Sequence, residues 1–243
     1  MEAIRINGLT KKYKGVTAVN KLSLNIHSGE LFSLLGVNGA GKTTTIRMLS
    51  CLTRPDGGDA LLNGKSILTD TAEVKALIGV SPQETAIAPN LTIEENLSLM
   101  CGIRGFSKQK TRFKTEEMTE QFHLGEVLKK RAKSLSGGYK RRLSISMALI
   151  SEPQILFLDE PTLGLDVLAR SDLWEVIRCL KGKITIILTT HYMEEAQALS
   201  DRIAIMKAGA LITVGTADEI KKEAGCEGLE EAFVRLVKAG EMK

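Results

Sequence analysis

One octapeptide constrains this 243-residue chain more than any other feature: Gly36-Val37-Asn38-Gly39-Ala40-Gly41-Lys42-Thr43. The apolar run Leu31–Leu35 before it reads as a buried strand ending at Gly36, and a helix is expected from Thr44 to Ser50. Glycines between such a strand and helix let the backbone wrap an anion with no Cβ in the way. Successive N–H groups and the helix N-terminus then point at a phosphate. Gly36, Val37, Asn38, Gly39, Ala40, Gly41 and Thr44 are therefore expected phosphate-loop contacts. Lys42 would bridge the β- and γ-phosphates of a nucleotide, and the Thr43 hydroxyl would ligate Mg²⁺.

A second apolar run, Ile155 to Leu158, delivers Asp159 at the carboxyl end of a buried strand, where ligands bind in open α/β sheets. Asp159 is suited to hold Mg²⁺, and Glu160, one residue on, to orient and deprotonate an attacking water. Ile184–Leu188 reads as another buried strand. The segments around Ile4-Arg5-Ile6 and Leu22–Ile26 alternate instead, as antiparallel strands with one wet face do. From about Glu84 to Ile150 the pattern turns helical, with Thr92 and Glu95 forming a capping box ahead of Asn96, Leu97 and Met100. The tail from Ala217 is helical too, through Leu229, Phe233, Leu236 and Val237. These boundaries give a sheet core over 1–83 and 151–216, a helical subdomain over 84–150 and a C-terminal helical tail over 217–243, all in one nucleotide-binding domain.

Composition narrows the class. A net charge of +4 is far from the basic stripe of a dedicated nucleic-acid binder, so no nucleic-acid partner is expected. Basic residues do gather at Arg104 to Lys114, Lys129 to Lys133 and Lys140 to Arg142, and a solvated helical face is their default reading, with lipid headgroups the alternative. Cys51, Cys101, Cys179 and Cys226 are scattered without a C-x-x-C pair, which suits reduced cysteines packed as small hydrophobes. The opening MEAIRINGLTKKY has no apolar signal core, and no stretch approaches 18 uninterrupted apolar residues. A membrane, if involved, is expected to be reached through a partner, with no direct insertion.

Leu135-Ser136-Gly137-Gly138-Tyr139-Lys140-Arg141-Arg142, shortly before the acidic strand, resembles the signature motif of the ABC ATPases. The rest of that pattern follows in order. Tyr13 resembles the aromatic that stacks on adenine, with Val19 as a second contact. Gln83 resembles the glutamine linking the Mg²⁺ site to the helical subdomain. Leu165-Asp166 resembles the loop that meets the opposing subunit, and His191 the histidine that contacts the γ-phosphate. Tyr139 departs from the pattern, standing where glutamine is commonest.

The resemblance, spanning residues 13 to 191, implies an α/β P-loop NTPase with a RecA-like mixed sheet core, an antiparallel β subdomain and an inserted helical subdomain. It implies ATP and Mg²⁺ as ligands and a head-to-tail dimer with a second copy of the ATPase. Each ATP would be sandwiched between Lys42's loop and the other copy's Ser136, Gly137 and Gly138. It also implies a separate transmembrane permease and a cytoplasmic, peripheral place on the inner face of the cell membrane. His191-Tyr192-Met193-Glu194-Glu195-Ala196 and Asp201-Arg202-Ile203-Ala204 are most similar to bacterial and archaeal export cassettes for drugs, sodium, lipids and polysaccharides. The rival within the family is a soluble ABC ATPase acting on nucleic acid or ribosomes. Against it, the cassette is single and uninterrupted by coiled coil or zinc module. A GTPase or small-molecule kinase is the rival outside it, and the chain shows no N-K-x-D guanine-reading motif.

Overall fold

The computed structural model describes residues 1–239, and 240–243, the end of the expected tail, lie outside the described residues. Strands β1 (Glu2–Tyr13) and β2 (Val16–His27) pair antiparallel. Their alternation buries Ile4, Ile6, Leu22, Leu24 and Ile26 while leaving Arg5, Ser23 and Asn25 in solvent. The fully buried β3 (Leu31–Leu35) follows, then the glycine loop and α1 (Lys42–Leu49). Strands β4 (Gly57–Leu62) and β5 (Lys65–Ser66) complete the first sheet in the order β2-β1-β4-β5. Helix α2 (Thr71–Leu77) runs directly into β6 (Ile78–Ser81).

Between β6 and the next strand lie α3 (Ile93–Ile103), α4 (Lys108–Gln121), two short 3₁₀ turns and α5 (Gly137–Leu149). The chain then alternates through β7 (Ile155–Asp159), α6 (Val167–Leu180), β8 (Thr185–Thr190), α7 (Met193–Leu199), β9 (Arg202–Lys207) and β10 (Ala210–Gly215). It closes with α8 (Ala217–Ala224) and α9 (Leu229–Ala239). The second sheet has the order β10-β9-β3-β8-β7-β6, with every pair parallel except β10–β9. The fold is therefore the expected mixed α/β sheet core with an antiparallel sheet beside it and a helical insertion.

The period of two divides each central strand between two cores. Leu156 and Leu158 face α3, α5 and α6, whereas Ile155 and Phe157 face α1 and the antiparallel sheet. A smaller cluster seats α8 and α9 on Ile203 and Ile205 through Ile220 and Phe233. The capping box of Thr92 and Glu95 is present in full, each residue bonding the other's backbone N–H. Part of the basic stretches is paired with carboxylates: Arg112 with Glu116, Lys129 with Glu94, Arg142 with Asp172, and the buried Lys114 with Glu117 and Glu152 at 2.6 Å each. All four cysteines are free, but Cys179 is exposed, so the packed-hydrophobe reading does not extend to it.

Register is what builds the site. Leu35 pairs with Thr190 and Asp159 with Thr189, so the carboxyl ends of β3, β8 and β7 emerge side by side on one edge. The glycine loop, Glu160 and His191 are the next residues along these three strands. Helix α5 is held over β6 by close approach, with Ser81 and Ser144 hydroxyls 2.9 Å apart. A Cβ on Gly79 would lie 2.4 Å from the Ala148 carbonyl oxygen and 3.0 Å from Pro153 Cγ. Gly79→Ala should therefore lower stability by about 1–3 kcal/mol. Equilibrium urea unfolding should show a lower midpoint with an unchanged slope, and an unchanged midpoint would refute this account of how α5 is seated.

Candidate functional site

Steric necessity fixes the glycines of the loop. A Cβ on Gly36 would sit 2.5 Å from Met206 O and 2.8 Å from Ala40 Cβ. Gly41 adopts φ 100 and would place its Cβ 2.4 Å from Ala18 O. Gly41 is also the residue before α1, which opens at Lys42, ahead of the expected Thr44, because Thr45 N–H closes the first turn on Gly41 O at 2.9 Å. Asn38 through Thr44 line a cleft of about 700 Å³ together with Gln83, Glu160, Leu163 and His191. Gly36 is buried beneath the loop, and Val37 stands half exposed.

The Lys42 ammonium folds back into the loop, donating to Gly36 O at 2.7 Å and Val37 O at 3.3 Å. It also lies 3.2 Å from Glu160 Oε1, with both side chains almost wholly buried. The other Glu160 oxygen, Oε2, is 2.8 Å from His191 Nδ1. Glu160 thus lies between a cation and an imidazole. It adopts φ 48, a left-handed conformation costing a non-glycine residue about 1–2 kcal/mol. Its N–H is held there by Thr189 O at 3.1 Å and Thr189 Oγ1 at 3.0 Å.

Asp159, 4% exposed, accepts hydrogen bonds on Oδ1 from Thr43 Oγ1 at 3.1 Å and Thr189 Oγ1 at 2.5 Å. Thr43, Asp159 and the cleft-lining Gln83 offer only oxygen donors, apart from the Gln83 amide nitrogen. That is the hard chemistry Mg²⁺ takes alongside phosphate oxygens. The residues present therefore fit the metal.

The base contacts need a correction. Val19 is fully buried in the core, where it packs under Gly41, so it presents no surface to a base. Val16, Thr17 and Ala18 line the cleft instead. Tyr13 is 43% exposed, with the Lys11 ammonium 5.4 Å from its ring centre.

The signature segment is built differently from the cleft. Ser136 occupies the position before α5 with extended backbone, yet its side chain makes no capping bond. Ser136 and Gly137 are exposed, and none of Ser136, Gly137 and Gly138 lines the cleft that holds Lys42. A Cβ on Gly137 would meet Leu165 at 3.4 Å, and one on Gly138 would meet Ala169 at 3.2 Å. The start of α5 and the Leu165-Asp166 turn therefore form one surface. Asp166 caps α6, accepting from Ala169 N–H at 2.9 Å. Tyr139 lies against the core, with the Arg142 guanidinium 5.7 Å from its ring centre.

Comparison with known proteins agrees with this geometry. Residues 19–163 match the family described as ABC transporter. The chain is 42% identical over 224 residues to the daunorubicin/doxorubicin resistance ATP-binding protein DrrA of Streptomyces peucetius, covering 92% of this chain and 68% of that protein. A solved structure of the ATP-binding subunit of an ABC transporter superposes with a TM-score of 0.85 at 29% identity, covering 96% of this chain and 99% of that one. A dimeric ATP-binding cassette in a post-hydrolysis state, bound to ADP and Pi, superposes with a TM-score of 0.79 at 26% identity, covering 88% and 98%.

Four residues at or behind the site escaped sequence reasoning. Thr189 and Thr190 extend β8 two residues past the apolar run, and the Thr189 hydroxyl serves both Asp159 and Glu160. Buried Arg141 donates to Pro82 O at 2.7 Å and Gln83 O at 2.8 Å, tying α5 to the backbone of the glutamine loop. Burial pulls the Arg141 pKa down, against the attraction of Asp159 and Glu195. Glu195 is wholly buried in α7, accepting from Thr162 Oγ1 at 2.8 Å and Trp174 Nε1 at 3.0 Å. β-branching in Thr189-Thr190 and a lone acidic residue on the inner face of α7 were the available signals.

Burial raises the Glu195 pKa, with donors at Thr190, Thr162 and Trp174 opposing and Glu160 adding to the rise. A raised carboxyl stabilises the fold fully below its unfolded pKa, and that contribution is lost as pH rises through the folded value. Glutamine does not titrate. The melting temperature of Glu195→Gln relative to the unsubstituted chain should therefore climb as pH rises above the ordinary carboxylate range. A difference that stays flat or falls would contradict the raised value.

Proposed function

The chain belongs to the ABC transporter family as an ATP-binding, ATP-hydrolysing subunit, and from that premise we propose that two copies close head to tail over two ATP molecules to drive export through a separate permease. One observation carries the dimer. The free amides and uncapped hydroxyl at the start of α5 form an anion-binding helix terminus, yet they line no part of the chain's own phosphate cleft. A second copy supplies the missing half, with Asp166 and the exposed Val167 and Leu168 beside that terminus at the join. The dimeric cassette that superposes on this chain supports the arrangement.

Within such a site, phosphate oxygens displace Glu160 from Lys42, because a polyanion outcompetes one carboxylate for the ammonium. Glu160, still hydrogen-bonded by His191 at 2.8 Å, is then free to take a proton from water. His191 faces Glu160 with Nδ1, which leaves Nε2 for the γ-phosphate, and a ring carrying both N–H groups would donate to the two at once. Thr43, Asp159 and Gln83 would hold Mg²⁺, which would neutralise phosphate charge there. The loop amides of Gly36 to Thr44 and the Ser136 set add donors from opposite sides. Tyr13 offers stacking area to adenine, beside Val16, Thr17 and Ala18.

Segment 84–150 is read as the subdomain that answers to the permease. Its α3 and α4 expose Leu99, Ile103 and Phe113, and Arg141 fixes the Gln83 loop to the segment's other end. Among the described residues no helix is long and apolar enough to cross a membrane, and a peripheral place on the cytoplasmic face, held through that partner, is the reading that the name of the Streptomyces relative supports. The resistance role in the name of the Streptomyces relative supports export.

Mixing tests the shared site. A Lys42→Ala chain lacks one half of the machinery and a Ser136→Arg chain the other. Each should be inactive alone, and equimolar mixing should restore part of the ATPase activity, because a mixed dimer has one site carrying both lesions and one carrying neither. Mixed dimers without recovered activity, or full activity of Ser136→Arg alone, would overturn the arrangement.

A further inference from the structure

Among the described residues Glu195 is the most completely buried charged side chain, and no step assigned above uses it. An ionisable group is costly to bury and needs partners to hold it. Its partners come from two other elements. Thr162 lies two residues past Glu160, in a turn closed by Leu163 N–H on Glu160 O at 3.2 Å and Leu165 N–H on Thr162 O at 3.1 Å. Trp174 lies on α6, whose capping residue is Asp166. Both donate to the same oxygen, Oε1.

One turn earlier on α6, the Arg170 guanidinium lies 4.7 Å from the Tyr192 ring centre, and the Tyr192 and His191 rings are 4.1 Å apart. The face of α6 that carries Arg170 and Trp174 thus supports both members of the Glu160–His191 pair, one through Tyr192 and the other through Glu195 and Thr162.

We propose that Glu195 is a positioning residue for ATP hydrolysis: it pins the Glu160–Asp166 turn to α6 and α7, and so fixes where the Glu160 carboxylate stands. The inference rests on reading Glu160 as the base. Glu160 is strained at φ 48, and the turn that follows it must be anchored for that conformation to persist. A single buried acceptor shared by turn and helix does this. It also makes the edge that meets the second copy move with the base. An ångström of misplacement at a reacting group can cost about a hundredfold in rate. The hydrogen bonds need an acceptor and no charge, so glutamine should serve where methionine cannot.

Four variants of the full chain, assayed with the permease present, decide the matter: Glu195→Gln, Glu195→Met, Thr162→Val and Trp174→Phe. Glu195→Gln should stay within about threefold of normal kcat, while Glu195→Met and Thr162→Val should lose about ten- to a hundredfold, with KM for ATP within about twofold. Trp174 is the sole tryptophan, so its fluorescence reads the indole bond directly. Emission should shift in Glu195→Met and hold in Glu195→Gln. A remote core variant, Ile220→Val, supplies a chain of reduced stability whose kcat should be normal.

If Glu195→Met does not fold, Thr162→Val and Trp174→Phe carry the test, each expected to lower kcat with KM unchanged. Loss no greater than that of Ile220→Val, loss confined to KM, or an unshifted emission in folded Glu195→Met would overturn the proposal. Glu160→Gln is assayed alongside. Should it turn over normally, the base reading falls, while Thr162→Val still decides whether the anchored turn matters to kcat.

Discussion

The Glu160 carboxylate, held between the Lys42 ammonium and the His191 imidazole, is the contact on which the rest of the site depends. Nothing local favours it. The residue is non-glycine with positive φ, and two charges with little exposure face each other at the end of a buried strand. It persists because the sheet register brings three strand ends together, and because Thr189 on the neighbouring strand bonds the Glu160 N–H and the Asp159 carboxylate at once. Each further element has a place relative to that point. The glycine loop wraps Lys42, α5 reaches the Gln83 backbone through Arg141, and α6 lies behind Tyr192 and Thr162.

Charge explains why these groups occupy one edge. A lysine, two carboxylates and a histidine in a low-dielectric cleft interact strongly, so a polyanionic ligand redistributes all of them when it enters. Lys42 can exchange Glu160 for phosphate oxygens without leaving the loop carbonyls. The exchange frees a carboxylate oxygen at the moment phosphate arrives. In the proposed dimer, binding and activation would be linked through one ammonium, and the second half-site at the start of α5 would make that linkage depend on a second copy.

Much of this was legible in the sequence because its signals are local. The glycine pattern, Leu31–Leu35 and Ile155–Leu158 each combine composition with a sharp boundary, and the Thr92–Glu95 capping box lies within four residues. What escaped was long-range or polar. β6 is four residues long and starts where α2 ends, so no turn residue separates them. The expected strand stops at Leu188, although β-branched Thr189 and Thr190 suit a strand and their hydroxyls are needed there. Val19 is expected as a second contact to adenine, yet its position in β2 points it under Gly41. Arg141 and Glu195 act through partners about 20 to 60 residues away in sequence, which no local pattern encodes.

The central claim is that Glu160 activates water while Lys42, Thr43 and Asp159 hold nucleotide and metal. The most direct measurement is size-exclusion chromatography of purified Glu160→Gln with ATP and Mg²⁺, with bound nucleotide counted in the eluted peak. The account predicts a dimer that retains two unhydrolysed ATP molecules, while the same protein assembled with its permease shows almost no turnover. Turnover at the normal rate in that assembled Glu160→Gln protein would contradict it.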